Sequence, residues 1–235
     1  MSSEIIRNTV IGNNPGTSLV LSEAVGLESS AKPAQLRPGA DWGETLLAAA
    51  RLKHVLGAGK KLVAVSGFDN QDGAGLLAAR IASALAEIDQ GKVLLVDANA
   101  AASQVAKLFG VRGAPGLLDM LEAQAELKDA VTSSEPANLF VLPLGRASAS
   151  LATLFGSDRC PLVLRELRAE FRYIIADVGL VRSAEATLFA SLSDGVLVSL
   201  AAGRRTREEV ASFEEELRRL QIPLLGAMLT KRSSG

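Results

Sequence analysis

The chain has little of several residue types that carry chemistry or mark a secreted or membrane protein. Its 235 residues include one cysteine, Cys160, one histidine, His54, and one tyrosine, Tyr173. A single cysteine excludes an internal disulfide and is typical of a reducing compartment. No apolar run reaches the roughly 18 residues that span a bilayer, and the first residues lack the basic and then apolar pattern of a signal peptide. We therefore expect a cytoplasmic protein with no direct membrane insertion.

The charge of the chain is nearly balanced, with 25 Lys and Arg against 26 Asp and Glu and a formal net charge of −1. Such a balance produces no field that would attract nucleic acid, so we expect no nucleic-acid partner. Hydrophobic residues make up 48% of the chain. That proportion is enough for one full core, which predicts a single α/β domain.

Two regions differ in composition. Residues 1–40 are rich in turn-forming residues, as in NNPGTS and RPGAD, and have no sustained periodicity. We predict a mobile arm over 1–40 and one folded domain over 41–235. The domain opens with DWGETLLAAARLKHVL, whose amphipathic pattern predicts a helix over 41–56 with Asp41 as its N-cap.

Short apolar runs alternate with helical patterns through the rest of the chain. Runs such as VLLVD and YIIAD are apolar on both faces, which is typical of parallel strands covered by helices on both sides. The predicted fold is therefore α/β, with a doubly wound, mostly parallel sheet. The predicted strands are 62–66, 93–97, 139–143, 173–177, 195–200 and 224–229. The helices between them are predicted to begin near Gly73, Ala100, Leu117, Arg159, Ala184 and Arg205.

Three strand ends carry the features of a nucleotide site. The stretch VAVSGFDNQDGAGLLAARIASALA, residues 63–86, predicts a buried strand, a glycine loop and an Ala-rich helix. Backbone N–H groups of such a loop can cradle phosphates. Asp97 and Asp177 end two further strands, where acids can hold Mg²⁺ or position water. Together they predict the skeleton of a P-loop NTPase, although either acid alone could be a helix cap or a loop charge.

Several segments, in order, carry a family resemblance that extends over about 44–231. They are GKVLLVDANAAASQVAKLFGVRGAPGLLDML, VLPLGRASASLATLFGSDRCPLVLREL, FRYIIADVGLV, SDGVLVSLAAGRRTREEV and IPLLGAMLTK. This pattern resembles the bacterial tyrosine kinases (BY-kinases) of capsule and exopolysaccharide synthesis, which are relatives of the MinD and ParA ATPases. The resemblance implies the P-loop fold of that superfamily. It also implies a partner, either the cytoplasmic part of a Wzz-type polysaccharide co-polymerase or a glycosyltransferase of the same pathway.

The positions that carry chemistry in that family differ here. Laid on the family's loop ending GEGKST, alanine takes the lysine position and glycine takes that of the metal-binding Ser or Thr. Neither can neutralise phosphates or offer the metal an oxygen. In the second acidic motif Asp97 is kept but Asn99 replaces the other carboxylate, and Asp177 stays at the Walker B position. The degenerate loop positions are Asp72, Gly73, Ala74, Gly75 and Leu76.

Two features outside the loop differ as well. Active relatives carry a C-terminal tyrosine cluster, whereas Tyr173 here falls in a predicted core strand. The family's E-x-x-R-x-x-R assembly helix corresponds to Glu44, Leu47 and Ala50, with both arginines replaced. We interpret these apolar replacements as buried rather than as a new interface, and a homo-oligomer stays open.

These departures predict a pseudokinase, meaning a catalytically inactive interaction or regulatory component of bacterial exopolysaccharide or capsule biosynthesis and export. It would lie in the cytoplasm and be recruited to the inner membrane through its partner. The sequence thus predicts no enzyme activity, no catalytic residue, no metal site and no cofactor, and any binding of ATP, ADP or Mg²⁺ would be weak.

Two alternatives remain. A weak nucleotide-binding switch is one, because Gly73 and Gly75 could present N–H groups to a phosphate. A MinD/ParA-like positioning ATPase ranks lower, because the final LTKRSSG is too short and polar for a membrane-targeting helix.

Overall fold

The structure, a computed structural model, describes residues 25–27, 42–59, 61–69 and 72–232. Strand β1 (Val25–Leu27) lies within the predicted arm. The rest of 1–40 lies outside the described residues, as does Asp41, the predicted N-cap. The division into a mobile arm and one domain therefore stays a prediction.

The other strands of the described chain join β1 in one sheet. They are β2 (Leu62–Gly67), β3 (Val93–Asp97), β4 (Thr132–Ser133), β5 (Leu139–Leu142), β6 (Tyr173–Leu180), β7 (Gly195–Ala201) and β8 (Leu224–Arg232). The strand order is β1-β8-β7-β2-β6-β3-β5-β4. Neighbouring strands are parallel throughout, except that β4 pairs antiparallel with β5. The predicted, mostly parallel α/β sheet is confirmed.

Helices cover both faces of this sheet. They are α1 (Trp42–Leu56), α2 (Ala74–Ile88), α3 (Val105–Phe109), α4 (Leu117–Leu121), α5 (Leu127–Ala130), α6 (Leu151–Phe155), α7 (Arg159–Glu170), α8 (Ala184–Ser191) and α9 (Arg207–Arg219). No helix of the described chain is long and apolar enough to cross a membrane.

The core has two layers because successive residues of a strand point to opposite faces. On one face, Leu94 and Ile174 join a cluster that includes residues of α4, α7, α8 and α9. On the other face, Leu95 and Ile175 pack with residues of α1, α2 and α3. Residues 74–86 of α2 are all buried, and their many alanines let this helix lie close to the sheet.

Two sequence expectations differ from the structure. A helix predicted to begin near Ala100 begins at Val105, because the Asp97 carboxylate accepts hydrogen bonds from Ser103 Oγ and the Val105 N–H and fixes the intervening loop. The interpretation that Leu47 and Ala50 are buried is wrong.

The phase of α1 explains that error. Helix α1 buries Thr45, Ala49, Leu52 and Leu56 at a spacing of three to four residues, so Leu47 points away and is 49% exposed.

Candidate functional site

The sequence-predicted loop and acids meet at the carboxyl edge of the sheet. Strand β2 ends at Gly67 and α2 begins at Ala74, so the glycine loop connects them at this edge. Strand β6 lies between β2 and β3, and Asp177 pairs in register with Val65 on one side and Asp97 on the other. Parallel strands end on the same side, which brings the three features together.

Asp72 is the residue that fixes the loop. It is fully buried, and its carboxylate accepts hydrogen bonds from the backbone N–H groups of Phe68 (2.8 Å), Asp69 (2.8 Å) and Ala201 (2.9 Å). One carboxylate can accept several such hydrogen bonds at once, so none of these N–H donors is left unpaired. Asp72 therefore clamps both ends of the loop to the end of β7.

The backbone carbonyl of Asp72 extends this clamp to β8. It accepts hydrogen bonds from Ser199 Oγ and from Thr230 Oγ1, the latter at 3.2 Å, and both hydroxyls are buried. Asp72 was predicted from the sequence as a loop position, whereas Ser199 and Thr230 were not. No local signal could have found them, because they are 127 and 158 residues away along the chain.

Arg205 supplies positive charge to the loop from the connection between β7 and α9. Its guanidinium forms an ion pair with Asp69, and its Nη2 lies 3.6 Å from Asp72 Oδ2. The same guanidinium lies over the ring of Phe68, 5.4 Å from the centroid. Arg205 therefore offsets part of the negative charge of the loop, and Arg204 Nη2 lies 3.8 Å from Asp69 Oδ2.

The loop's last residues form the start of α2. Gly73 has a left-handed φ of 68°, which glycine adopts without steric cost. The N–H of Leu77 donates to the carbonyl of Gly73. The N–H groups of Ala74, Gly75 and Leu76 thus have no acceptor within the helix, as is usual in a first turn, and they carry its partial positive charge. This backbone arrangement suits the binding of a phosphate.

Gly75 is required by a close approach of two side chains. A Cβ placed on Gly75 would lie 2.5 Å from Asp177 Oδ2 and 2.6 Å from Gln104 Nε2. Asp177 and Gln104 therefore occupy the space that a serine or threonine side chain would need. Gln104 is a further site residue that the sequence did not reveal.

Asp177 is more weakly held than Asp97, and it lies within β6 rather than at its predicted end, because the strand continues to Leu180. It accepts hydrogen bonds from the Gly179 N–H at 3.1 Å and from Asn99 Nδ2 at 3.3 Å. Burial, with a smaller contribution from the nearby charge of Asp97, raises the pKa of Asp177 to about 7. The carboxyl can therefore hold a proton near neutral pH.

Asp97 is more firmly held by the segment that follows β3. It accepts hydrogen bonds from Ser103 Oγ at 2.9 Å and from the N–H groups of Asn99 and Val105 at 3.1 Å each. Burial raises its pKa above the usual range for an aspartate, in opposition to these hydrogen bonds. Asn99 thus links both acids through its backbone and its side chain.

The residues present fit nucleotide phosphates through backbone N–H groups, and they offer a divalent cation two carboxylates. Among the described residues, no group of three or more His, Cys, Asp or Glu side chains is placed to hold a metal. Mg²⁺ commonly takes one or two protein carboxylates and completes its shell with phosphate oxygens and water. Asp97 and Asp177 would be those two ligands here.

Comparison with known proteins identifies the relatives of this chain. No protein-family profile matches it. The tyrosine-protein kinase CpsD of Streptococcus agalactiae is 27% identical over 175 residues, which cover 73% of this chain and 75% of CpsD. The tyrosine-protein kinase YwqD of Bacillus subtilis is 28% identical over 160 residues, 67% of each chain. The homologues of this chain are bacterial tyrosine-protein kinases.

Another relative is much longer. The succinoglycan biosynthesis transport protein ExoP of Rhizobium meliloti is 24% identical over 179 residues, which cover 74% of this chain and 23% of ExoP. The likeness is therefore confined to one part of ExoP.

Solved structures share the fold at lower sequence identity. The chimerical protein CapA2B2 matches with a TM-score of 0.81 at 19% identity, covering 90% of this chain and 94% of that chain. The kinase domain of the Escherichia coli tyrosine kinase ETK matches with a TM-score of 0.72 at 19% identity, covering 81% and 77%. The MinC:MinD complex of Aquifex aeolicus matches with a TM-score of 0.61 at 18% identity, covering 72% of this chain and 68% of that chain. The P-loop fold of the MinD class is thereby confirmed.

The prediction that the chain is not an enzyme is wrong on this comparison. The relatives are named tyrosine-protein kinases and a structural neighbour is a kinase domain, which point to a kinase. The prediction treated the side chains of Ala74 and Gly75 as decisive. The backbone N–H groups of the loop and the adjacent acids Asp97 and Asp177 do not depend on those two side chains.

Proposed function

We propose that this chain is a kinase-type component of bacterial capsule or exopolysaccharide biosynthesis and export. Its relatives CpsD and YwqD are tyrosine-protein kinases, and ExoP is by name a succinoglycan biosynthesis transport protein. The observation that carries the proposal is the meeting of the glycine loop with Asp97 and Asp177 at one edge of the sheet. A nucleotide site and a pair of acids at this edge are two of the parts that phosphoryl transfer uses.

The nucleotide is held mainly by backbone groups in this proposal. The first N–H groups of α2 bind phosphate oxygens, and ATP or ADP binds weakly because Ala74 contributes no charge there. A divalent cation, when bound, offsets the charge of the phosphates beside Asp177 and Asp97. Asp177 is the more available ligand, because its hydrogen bonds, at 3.1 to 3.5 Å, are on average longer than those of Asp97.

The acceptor tyrosine lies on a partner protein in this proposal. Tyr173 is the only tyrosine of the sequence. It is 2% exposed in β6 and its hydroxyl faces Asp89 at 3.4 Å. A side chain so enclosed cannot enter a phosphoryl-transfer site without local unfolding.

The partner is the cytoplasmic part of a Wzz-type co-polymerase or a glycosyltransferase of the same pathway. Binding to that partner would place the chain at the cytoplasmic face of the inner membrane. Exposed apolar residues such as Leu47 and Leu162, which are 49% and 52% exposed, are candidates for the contact.

A transfer assay tests the kinase part of the proposal. The purified chain is incubated with radiolabelled ATP, Mg²⁺ and the cytoplasmic segment of a co-polymerase, and phosphotyrosine is measured. We expect transfer that is lost in Asp177→Asn and kept in Asp129→Asn, an exposed acid on α5. Transfer that is equal in both variants would contradict the assignment of Asp177.

Co-polymerase binding is measured separately by calorimetry. Binding without transfer would leave the pathway role standing and overturn the kinase role.

A nucleotide-binding switch is the second candidate. The Asp72 clamp favours it, because the carboxylate and carbonyl of this one loop residue reach both β7 and β8. A change in the loop on nucleotide binding would therefore alter the hydrogen bonds that Asp72 makes with β7 and β8. Co-polymerase affinity that changes with ADP, in the absence of transfer, would support the switch.

A further inference from the structure

The glycine loop contains two acidic residues and no Lys or Arg. Its sequence from Gly67 to Gly75 is GFDNQDGAG, in which Asp69 and Asp72 are the charged residues. Negative charge beside the N-terminus of α2 repels a phosphate that the helix would otherwise attract. A nucleotide therefore needs positive charge from outside the loop.

Arg205 is placed to supply that charge. Its guanidinium pairs with Asp69 and lies 3.6 Å from Asp72 Oδ2 and 3.6 Å from Glu209 Oε1. Asp72 is two residues from Ala74 in the chain, and adjacent Cα atoms are about 3.8 Å apart. The guanidinium thus lies beside the carboxylate of a loop residue that is two positions before the start of α2.

The position of Arg205 is fixed by packing as well as by charge. Its guanidinium lies over the ring of Phe68, which in turn makes an edge contact with Phe213 of α9 at 5.3 Å between centroids. The Nε of Arg205 has no hydrogen-bond partner among the described residues. Its carboxylate neighbours therefore leave part of its hydrogen-bonding capacity unused.

The two loop acids differ in how they can respond to a ligand. Asp72 is fully buried and its carboxylate oxygens accept hydrogen bonds from three backbone N–H groups. It therefore cannot move without breaking the hydrogen bonds that hold the loop. The side chain of Asp69 is 35% exposed and lies at the surface of the loop. Asp69 can therefore turn toward solvent and release a guanidinium N–H to a competing anion.

We propose that Arg205 is a nucleotide-binding residue, whose guanidinium exchanges Asp69 for a phosphate oxygen of a nucleoside di- or triphosphate bound at the start of α2. Planar guanidinium groups bind phosphate through two parallel N–H groups, a geometry that lysine does not match. The inference rests on the proposed function in so far as that function includes nucleotide binding. In this proposal Asp69 competes with the nucleotide phosphate for the guanidinium of Arg205, which we call the receptor of the phosphate.

This relationship predicts changes of opposite sign. Replacing Asp69 by Asn removes a negative charge and releases the guanidinium, so nucleotide should bind more tightly. Replacing Arg205 by Met removes the receptor and leaves Asp69 with the longer contact to Arg204 Nη2 at 3.8 Å, so nucleotide should bind more weakly. A purely structural role of this ion pair would make both changes destabilise the loop and weaken binding.

Calorimetric titration with ADP and with inorganic tripolyphosphate tests the proposal. Relative to the unaltered chain, we expect Asp69→Asn to lower Kd about tenfold and Arg205→Met to raise it about tenfold, as for loss of one charge-assisted hydrogen bond. Arg205→Lys should give an intermediate Kd. The control Arg207→Met removes an exposed arginine at the start of α9 and should leave Kd unchanged.

The proposal is overturned if Arg205→Met binds ADP as well as the unaltered chain, if Asp69→Asn binds it more weakly, or if no variant binds either ligand. Thermal melting without ligand checks that each variant is folded, and if Arg205→Met is not, the sign of the Asp69→Asn change decides. Co-polymerase binding is measured on the same preparations. Absence of co-polymerase binding would count against the pathway role, and absence of nucleotide binding in every chain would count against the nucleotide site of the proposed function as well. Equal ADP binding by the unaltered chain and Arg205→Met would count against Arg205 alone.

Discussion

Asp97 and Asp177 lie opposite each other in register on the neighbouring strands β3 and β6, and both are fully buried. Two carboxyl groups this close in a low-dielectric setting resist being charged together. The structure responds with hydrogen bonds from Asn99 to both acids and with a raised pKa at Asp177. The two carboxylates therefore repel each other at the edge of the sheet where ligands bind in this fold class. A proton or a cation bound there would relieve this repulsion.

The first prediction concerns the dependence of stability on pH. The pKa of Asp177 is raised from 3.8 to about 7 in the folded chain, so between these values the folded state binds more protons than the unfolded state. Stability from this group is therefore present below pH 4 and is lost as pH rises to 7, by on the order of 2–4 kcal/mol. Urea denaturation from pH 4 to pH 8 measures the effect.

Asp177→Asn is the matched variant for that experiment, because it keeps the shape and removes the titration. Relative to the unaltered chain, the variant should gain stability as pH rises from 4 to 7, since it lacks the loss. A difference between the two that stays constant across this range would contradict the raised pKa.

The second prediction concerns Gly75. Gly75→Ala should lower the free energy of unfolding by roughly 1–3 kcal/mol, because the new Cβ would collide with Asp177 and Gln104. Gly43→Ala is the control, since a Cβ on Gly43 in α1 meets nothing within 4 Å. That change should be neutral or should stabilise the helix by up to about 1 kcal/mol. Urea denaturation of both variants decides, and equal effects would argue against the crowding at Gly75.

The third prediction concerns the loop clamp. Asp72→Asn should destabilise the chain by roughly 2–3 kcal/mol, because the amide cannot accept all three backbone N–H groups and Arg205 loses a counter-charge. Asp129→Asn, at an exposed position, should change stability by less than about 0.5 kcal/mol. Hydrogen exchange of the Phe68, Asp69 and Ala201 amides should accelerate in Asp72→Asn. Unchanged exchange would show that other contacts hold the loop.

The fourth prediction concerns Cys160. The thiol is fully buried in α7, and burial raises its pKa to about 11. A thiol that is both buried and protonated reacts slowly with disulfide reagents. Ellman's reagent at pH 8 should therefore label the native chain at least about a hundredfold more slowly than the chain unfolded in urea. Rapid labelling of the native chain would indicate that α7 opens locally.

The fold could be predicted from sequence because its signals are local. Runs such as VLLVD and YIIAD are apolar on both faces, which indicates strands that helices cover on both sides of a sheet. In the structure every residue of β3 is buried. Asp97 and Asp177 could be assigned to one site, since parallel strands end at a common edge. The wrong prediction that Leu47 is buried also has a local cause. A shift of two residues in the set of helix positions assigned to the core changes which side chains face it.

The sequence by itself determined the alternation of strands and helices, the placement of the glycine loop after β2, and the identity of Ala74 and Gly75. Only the tertiary structure decided that Asp72 is clamped by Ser199 and Thr230, that Arg205 offsets the charge of the loop, and that Asp177 fills the space beside Gly75. The physical reason is that hydrogen bonds, ion pairs and steric contacts act over a few ångströms in space. Residues more than a hundred positions apart meet only after the sheet has assembled.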